Sequence, residues 1–427
     1  MSSFIIHGGV PLRGRIAASG SKNAALPMMA AAILASQPVL LEGVPHVTDV
    51  HTLAAVLEDL GLSIDWTPQG LRLETVDPAP RRARYRLVRR MRASFCVLGP
   101  LLARRGSAVV PLPGGCNLGD RPVDLHLKGL AALGADLRLE RGCVVASARQ
   151  LVGATIDMGG PHGPTVTGTA NVLSAAVLAR GTTLIQGAAH EPEIVDLGGF
   201  LNALGARISG LGTSTLEVEG VRELGGTRYR VIPDRIEAAT LLLAAAITGG
   251  ELVLDGIVPA HLHAVLQALA ATGAHVETDA DRVTLRAVGR PRPVDLRAEP
   301  YPGIPTDLQA QWTALMSLAA GVSTIEDRVF PARFQHAAEL GRLGARVRCR
   351  PGAALVRGVG QLSGAPVTAL DLRAGAALVL AGLAASGVTT VHRSGHLDRG
   401  YERLEAKLRQ LGARVTRPCY TTLAPEM

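Results

Sequence analysis

The chain holds 427 residues, 47% of them hydrophobic, with 44 Lys plus Arg against 36 Asp plus Glu for a net charge of +8. That composition excludes a disordered chain, and at about 100–200 residues per domain the length allows two to four domains. Aromatic residues make up 3%, which argues against base stacking as a main binding mode, and the 41 arginines are scattered except for one cluster at Arg81–Arg92. The expected partners are anionic small molecules, with no nucleic acid among them.

The opening MSSFIIHGGVPLRG lacks a basic region leading into a long apolar one, so no signal peptide is expected. The longest apolar runs, such as Ala24–Ala35 and Ala238–Thr248, hold about 11–12 residues against the ~20 of a spanning helix, so no membrane partner is expected either. Cys96, Cys116, Cys143, Cys349 and Cys419 are odd in number and form no Cys-x-x-Cys pair, which speaks against a disulfide framework or a zinc site. A cytoplasmic protein without a metal is expected.

Internal repeats set the architecture. Leu-Gly-Ala or a close variant, followed by alternating apolar residues, recurs six times, with its glycine at 61, 134, 205, 273, 344 and 412. The intervals are 73, 71, 68, 71 and 68 residues. An Ala/Leu-rich helix, a turn and a β-branched strand also recur, as in AAAILASQPVLLEG, AAVLARGTTLIQG and LLLAAAITGGELVLDG. Each repeat of about 70 residues reads as helix, strand, helix ending on Gly, strand, turn, strand. Helices with so little polar face are expected inside a ring of sheets. Six repeats divide into two lobes of three, with the crossing in GTRYRVIPDRIEAAT near position 230 and ligands expected between the lobes. The repeats by themselves also admit a solenoid.

Candidate chemistry sits in a few loops. In SGSKNAALP a Gly/Ser turn enters an apolar helix whose first N–H groups favour an anion, and Lys22 stands there as one of three lysines. A solvated lysine beside a helix cap is the plain reading of the same residue. In LPGGCNLGDRPVDLH glycines flank Cys116 and expose its thiol, and Arg121 would lower the thiol's pKa from its usual ~8.5. Cys96, inside SFCVLGP, is expected in the core. Asp307 in YPGIPTDLQAQWTAL precedes a helix, where capping alone would account for it. Asp371 and Arg373 open another apolar helix, and Arg399 precedes Gly400 with Asp398 placed to hold it. Lys22, Arg121 and Arg399 together could neutralise a phosphate plus a carboxylate.

GSKNAALP, MRAS, PGGCNLGDRPVDLH, EPEIVD, PDRIEA, PTDLQAQ, DLRA and HLDRGYER, in this order, resemble the motifs of the UDP-N-acetylglucosamine 1-carboxyvinyltransferase family of enolpyruvyl transferases. The resemblance runs from the first strand to LRQLGARV near the C-terminus. It implies an α/β fold of two inside-out α/β barrel domains, each of three βαβαββ units, with the N-terminal strand in the C-terminal domain. The domains would be 22–231, carrying the Cys116 loop, and 1–21 plus 232–427. The implied reaction transfers the enolpyruvyl group of phosphoenolpyruvate to the sugar 3-hydroxyl of UDP-N-acetylglucosamine by addition and elimination of phosphate, with no metal or organic cofactor.

On the matching positions Lys22, Arg121 and Arg399 would hold phosphate and carboxylate, with Asn23 at the reacting centre. Cys116 would be the proton donor and the site of a covalent phosphoenolpyruvate adduct, and Asp307 the base that takes the hydroxyl proton. Arg92, Arg121, Pro122, Val123, Asp124, Leu125, His162, Gly163 and Val329 would line the UDP-sugar site, reached also by Asn23 and Asp307. The chain departs from the family pattern at His46 and Thr48, where Lys-x-Lys is usual, and at Cys96, where an aromatic residue is usual. It departs again at Pro161-His162 in the nucleotide loop and at Ala332 before Arg333. These changes leave open a sister enzyme acting on a related nucleotide or nucleotide sugar. A non-catalytic UDP-sugar-binding regulator is the remaining alternative.

Overall fold

The computed structural model describes residues 2–114, 123–161 and 163–418. The chain divides into a continuous unit, Gly20–Ile232, and a discontinuous one made of Met1–Ser19 with Pro233–Met427. Each holds three repeats, grouped rather than stacked as a solenoid.

The inner helices of the continuous unit are α1 (Lys22–Ala31), α2 (Leu98–Arg105) and α3 (Val166–Ala176). Those of the discontinuous unit are α4 (Arg235–Ile247), α5 (Gln309–Met316) and α6 (Leu372–Ala384). Every residue of α4 and of α5 is buried. A helix without a solvent face is stable only when other elements enclose it, and sheets do so here. Their strands alternate buried and exposed positions, as in Thr215–Glu219, so one face of each sheet packs on the helices and the other meets water.

Each four-stranded sheet contains one parallel pair of strands, its other pairings being antiparallel. Glu251–Asp255 pairs antiparallel with Arg282–Arg286 and parallel with Arg13–Ala17. Val322–Asp327 likewise takes Leu296–Ala298 in parallel. In the last sheet Ser3–His7 lies between Val388–His392 and Arg414–Thr416, antiparallel to both. The beginning of the chain thus supplies the strand that the sixth repeat lacks, and Phe4 and Ile6 are fully buried there. The second repeat of the continuous unit forms a three-stranded sheet, Ser107–Pro111, Cys143–Ser147 and Asp136–Glu140, with Arg82 bridging to Val109 at its edge.

The six repeat glycines all take left-handed backbone angles, with φ of +86, +92, +107, +96, +90 and +91 in chain order. Only glycine adopts that region freely, so one residue type marks the same helix-to-strand turn in all six repeats. Ser21, Thr165, Asp234 and Asp371 cap α1, α3, α4 and α6 through their side chains. Helices α2 and α5 have no side-chain cap. They follow directly on 3-10 turns, Arg92–Val97 and Thr306–Leu308, and these turns carry two of the candidate site residues.

Candidate active site

Lys22, Asn23, Arg92, Asp307, Asp371 and Arg373 all lie at the start of an inner helix or in the 3-10 turn leading into it. Helix starts present unpaired N–H groups and the positive end of the helix dipole, so the fold collects anion-favouring positions there. Cys116, Arg121, Pro122 and His162 fall outside the described residues.

In the continuous unit Lys22 is the first residue of α1 and is buried, which overturns the reading of a solvated surface lysine. Its Nζ donates to Asp49 Oδ2 at 3.2 Å, and Asp49 is itself buried in the first turn of the helix Thr48–Asp59. An ammonium taken out of water needs such a partner. A Cβ on Gly20 would lie 1.8 Å from the Gly43 carbonyl oxygen, so glycine is required for SGSK to pack against the segment leading to Asp49. Asn23 follows Lys22, half-buried. Just before Asp49, the exposed His46 ring stacks on Trp66 with centroids 3.9 Å apart, and His51 lies 5.4 Å from the same indole. Burial, and then His46, hold the His51 pKa below the usual imidazole range.

The candidates for the nucleotide side are tied together through His126. Its Nδ1 meets the Asn171 amide at 3.1 Å, and its Nε2 meets the Thr167 hydroxyl at 3.2 Å. The same amide donates to the Phe95 carbonyl at 3.1 Å, and Asn171 Oδ1 accepts from Gly99 N at 2.6 Å. Burial, and then Arg92, push the His126 pKa down to about 3, so a neutral imidazole serves the bonding. This network links the turn bearing Arg92, the helix Asp124–Ala132 and α3. Val123 is the residue before that helix and Asp124 and Leu125 begin it, with Asp124 exposed and Leu125 half-buried. Leu125 Cδ1 would lie 3.0 Å from a Cβ on Gly160, which pairs with Gly163 in a small hairpin. Leu125 and Gly163 are therefore brought near one another. Cys96 belongs to the core, where burial pushes its thiol up to about 12.

In the discontinuous unit Asp307 does more than start a helix. Its Oδ1 accepts from Arg333 at 2.8 Å, and its Oδ2 accepts from Arg373 Nε at 3.1 Å and the same guanidinium's terminal nitrogen at 2.8 Å. Both arginines are buried, whereas the Asp307 side chain keeps 27% of its surface exposed. Arg333 also donates to Thr306 Oγ1 at 3.1 Å, and Thr306 donates to Asp327 Oδ2 at 2.6 Å. Asp327 Oδ1 in turn accepts from Val329 N at 3.0 Å and Phe330 N at 2.7 Å, which sets half-buried Val329 in the turn next to Thr306 and Asp307.

Asp371 caps α6 by accepting from Arg373 N at 2.7 Å and Ala374 N at 3.0 Å. The Arg373 guanidinium lies 5.2 Å from the centroid of the buried Tyr401 ring, whose hydroxyl meets Thr240 Oγ1 at 3.0 Å and Gln311 Nε2 at 3.2 Å. Burial works against the charge on Arg373, but the Asp307 carboxylate outweighs it and raises its pKa. Arg399, half-buried, ends a 3-10 turn two residues before Tyr401. The expectation that Asp398 holds Arg399 is corrected. Both Asp398 oxygens accept from Arg417, at 2.8 and 2.5 Å, and Arg417 is fixed over the Phe4 ring.

Sequence reasoning missed Asp49, the Thr306–Asp327 pair and the buried Tyr401, and named Arg333 only as the neighbour of the departure at Ala332. Asp49 had one legible signal, an acid in the first turn of a helix. Among the described residues no group of three or more His, Cys, Asp or Glu is arranged to hold a metal.

Two units of three helix-and-sheet repeats, with basic and acidic side chains gathered at inner helix starts, define the fold of the carboxyvinyl transferases. The EPSP synthase (3-phosphoshikimate 1-carboxyvinyltransferase) family matches residues 6–408. The crystal structure of the enolpyruvyl transferase NikO from Streptomyces tendae is similar at a TM-score of 0.87 and 28% identity, covering 97% of this chain and 99% of that one. EPSP synthase from Acinetobacter baumannii, at a TM-score of 0.74 and 18% identity over 98% of this chain and 100% of that one, shares the fold. UDP-N-acetylglucosamine 1-carboxyvinyltransferases of Akkermansia muciniphila and Desulfovibrio desulfuricans are 48% and 51% identical, each over 98% of this chain and 99% of the relative. The chain belongs to the UDP-N-acetylglucosamine 1-carboxyvinyltransferase family of enolpyruvyl transferases.

Proposed function

We propose that this protein transfers the enolpyruvyl group of phosphoenolpyruvate to the 3-hydroxyl of UDP-N-acetylglucosamine with release of phosphate, the first committed step of peptidoglycan synthesis. The observation that carries this reading is identity of 48–51% over 98% of the chain to enzymes of that name. The sugar oxygen attacks C2 of phosphoenolpyruvate while Cys116 protonates C3. Asp307 takes the hydroxyl proton as the C–O bond forms. Its reference pKa of ~3.9 is far below that of a sugar hydroxyl, so transfer must accompany bond formation. Loss of the C3 proton and cleavage of the C–O bond to phosphate then restore the enol ether double bond and release phosphate.

Lys22, Arg121 and Arg399 hold phosphate and carboxylate as fixed charges, with Asn23 at the reacting centre. Arg92, the stretch from Arg121 through Pro122, Val123 and Asp124 to Leu125, His162 with Gly163, and Val329 line the nucleotide-sugar side. Asp307, held by Arg333 and Arg373, is assigned to the same substrate as its base. The chemistry calls for no cofactor, and soluble substrates of this kind place the enzyme in the cytoplasm, where it serves cell-wall growth, cell shape and division. No described helix is long and apolar enough to cross a membrane.

A sister activity on a related nucleotide is the second reading, favoured by His46, Thr48 and Pro161-His162. Phosphate release from phosphoenolpyruvate, assayed with UDP-N-acetylglucosamine, UMP and shikimate 3-phosphate, separates them. Turnover with UDP-N-acetylglucosamine far above the other two is expected, and turnover with UMP alone overturns the acceptor. No release with any acceptor, with UDP-N-acetylglucosamine still bound, would instead mark a regulator. Fosfomycin, an epoxide phosphonate resembling phosphoenolpyruvate, should alkylate Cys116. Peptide mass mapping is expected to find one adduct there, formed faster with UDP-N-acetylglucosamine present, and labelling of Cys96, Cys143, Cys349 or Cys419 would break the assignment.

A further inference from the structure

Between Asp77 and Asp120 the sequence holds nine arginines and no acidic residue, so this stretch alone carries more positive charge than the net +8 of the whole chain. The basic character of the protein is thus local, and seven of these arginines fall within Arg81–Arg92. The backbone here is fixed by packing. Ala83 N donates to the Val109 carbonyl at 3.0 Å and Val109 N to the Arg81 carbonyl at 2.7 Å, which lays the segment along the edge of the three-stranded sheet. Ala83 and Val88 point inward and are buried, while Arg82, Arg86, Arg89 and Arg90 are exposed. Arg84 is held by Asp59, but Arg82, Arg86 and Arg90 pair with no described acidic side chain. Tyr85 stands among them with 62% of its surface exposed, and the Arg89 guanidinium lies 5.9 Å from its ring centroid.

We propose that this arginine face docks the enzyme on an anionic phospholipid surface. A bilayer presents a plane of phosphates, which guanidinium forks bind without a fixed register and without breaking existing ion pairs. An exposed tyrosine amid the arginines suits the headgroup layer, where amphipathic rings reside. Duplex nucleic acid fits less well, because the only helix in the patch, Tyr85–Val88, has four residues and cannot enter a groove. Single strands are disfavoured by the single ring available for stacking. A protein partner would have to bury several unpaired guanidinium groups, a charge density that interface cores avoid. This is attachment to a membrane face, which needs no spanning helix, and it holds whichever nucleotide the active site accepts.

The test is co-sedimentation of the full-length protein with sucrose-loaded vesicles of equimolar phosphatidylglycerol and phosphatidylcholine, against vesicles of phosphatidylcholine alone. Binding to the anionic vesicles only, weakened by salt, is expected. Joint R82Q, R86Q and R90Q substitution should weaken it on the order of a hundredfold, at about fivefold per charge removed. The triple Lys variant should retain most of it, and vesicle-free kcat and KM should match wild type in both. Equal binding of the Gln variant, or none by the wild type, overturns the proposal. A raised KM for either substrate without vesicles would assign the face to substrate capture. Equally tight binding of mixed-sequence RNA would make it a general polyanion surface. Either result overturns the lipid assignment.

Discussion

Both carboxylate oxygens of Asp307 accept from buried guanidinium groups, while 27% of its side-chain surface remains exposed. Asp307→Asn keeps the shape and removes the basic lone-pair charge. Both substrates should still bind, and kcat should fall by about 10²–10⁴, the usual contribution of an acid–base group. Steady-state kinetics with isothermal titration of the nucleotide sugar checks it, and a loss in kcat under about tenfold removes Asp307 from the role. Lys22 calls for a different substitution. A planar guanidinium cannot take the place of a compact ammonium seated against Asp49, so Lys22→Arg should lower kcat/KM for phosphoenolpyruvate by at least about tenfold although the charge is kept. Wild-type kcat/KM in that variant would leave Lys22 a structural ion-pair partner only. Lys22, Asp307 and Arg373 were legible because each follows a turn signal and opens an apolar run. Their partners were not, since Asp49 lies 27 residues from Lys22, and Arg333 and Arg373 lie 26 and 66 from Asp307. Such pairings are decided by how sheets and helices stack, which a local pattern does not encode.

Inner helices without a polar face could be read from the sequence, and so could the turn glycines, because left-handed backbone angles restrict the choice to one residue. What the pattern could not show is that α2 and α5 forgo side-chain caps and begin in 3-10 turns. Nor could it show that histidines are buried in or beside the elements nearby. His126 and His336 are buried and pushed down to about 3 and about 4, burial being the larger cause in each. An unfolded imidazole titrates near 6.5, so between the two values the unfolded chain binds more protons. Their contribution is fully present above about pH 6.5 and is lost as pH falls, at about 1.4 kcal/mol per pH unit for each group. Asp196 works the other way. Burial raises it to about 6, so its protonation adds stability as pH falls from there towards about 4. His336→Leu removes one of the opposing slopes. Urea unfolding across the window from about pH 6 to about pH 4.5 should show a plot of stability against pH flatter by about 1.4 kcal/mol per unit, whatever its absolute height. An unchanged slope would mean that His336 is not held neutral in the native state.

At the scale of the molecule, the distinctive constraint is that the chain's first strand completes its last repeat. Ser3–His7 is an interior strand, paired on both sides, and its Phe4 and Ile6 have no exposed surface. The discontinuous unit cannot finish its third sheet from residues 233–418 alone. In the sequence this strand was visible only as a short apolar run, FII, and its placement came from family resemblance, since nothing local says which sheet a five-residue strand will join. Two consequences follow for Phe4→Ala. Truncating a fully buried phenylalanine costs about 3–5 kcal/mol from lost transfer energy and the cavity left behind. The damage should also be local, because sheets open as cooperative units. Hydrogen exchange should show protection lost first in Val388–His392 and Arg414–Thr416, the two strands that flank Phe4's strand. Lys22–Ala31 and Val39–Glu42, which belong to the continuous unit, should keep theirs under the same conditions. Loss of protection spread evenly over both units would show that they open as one body, and unchanged protection at Val388–His392 would remove Ser3–His7 from its place in the sheet.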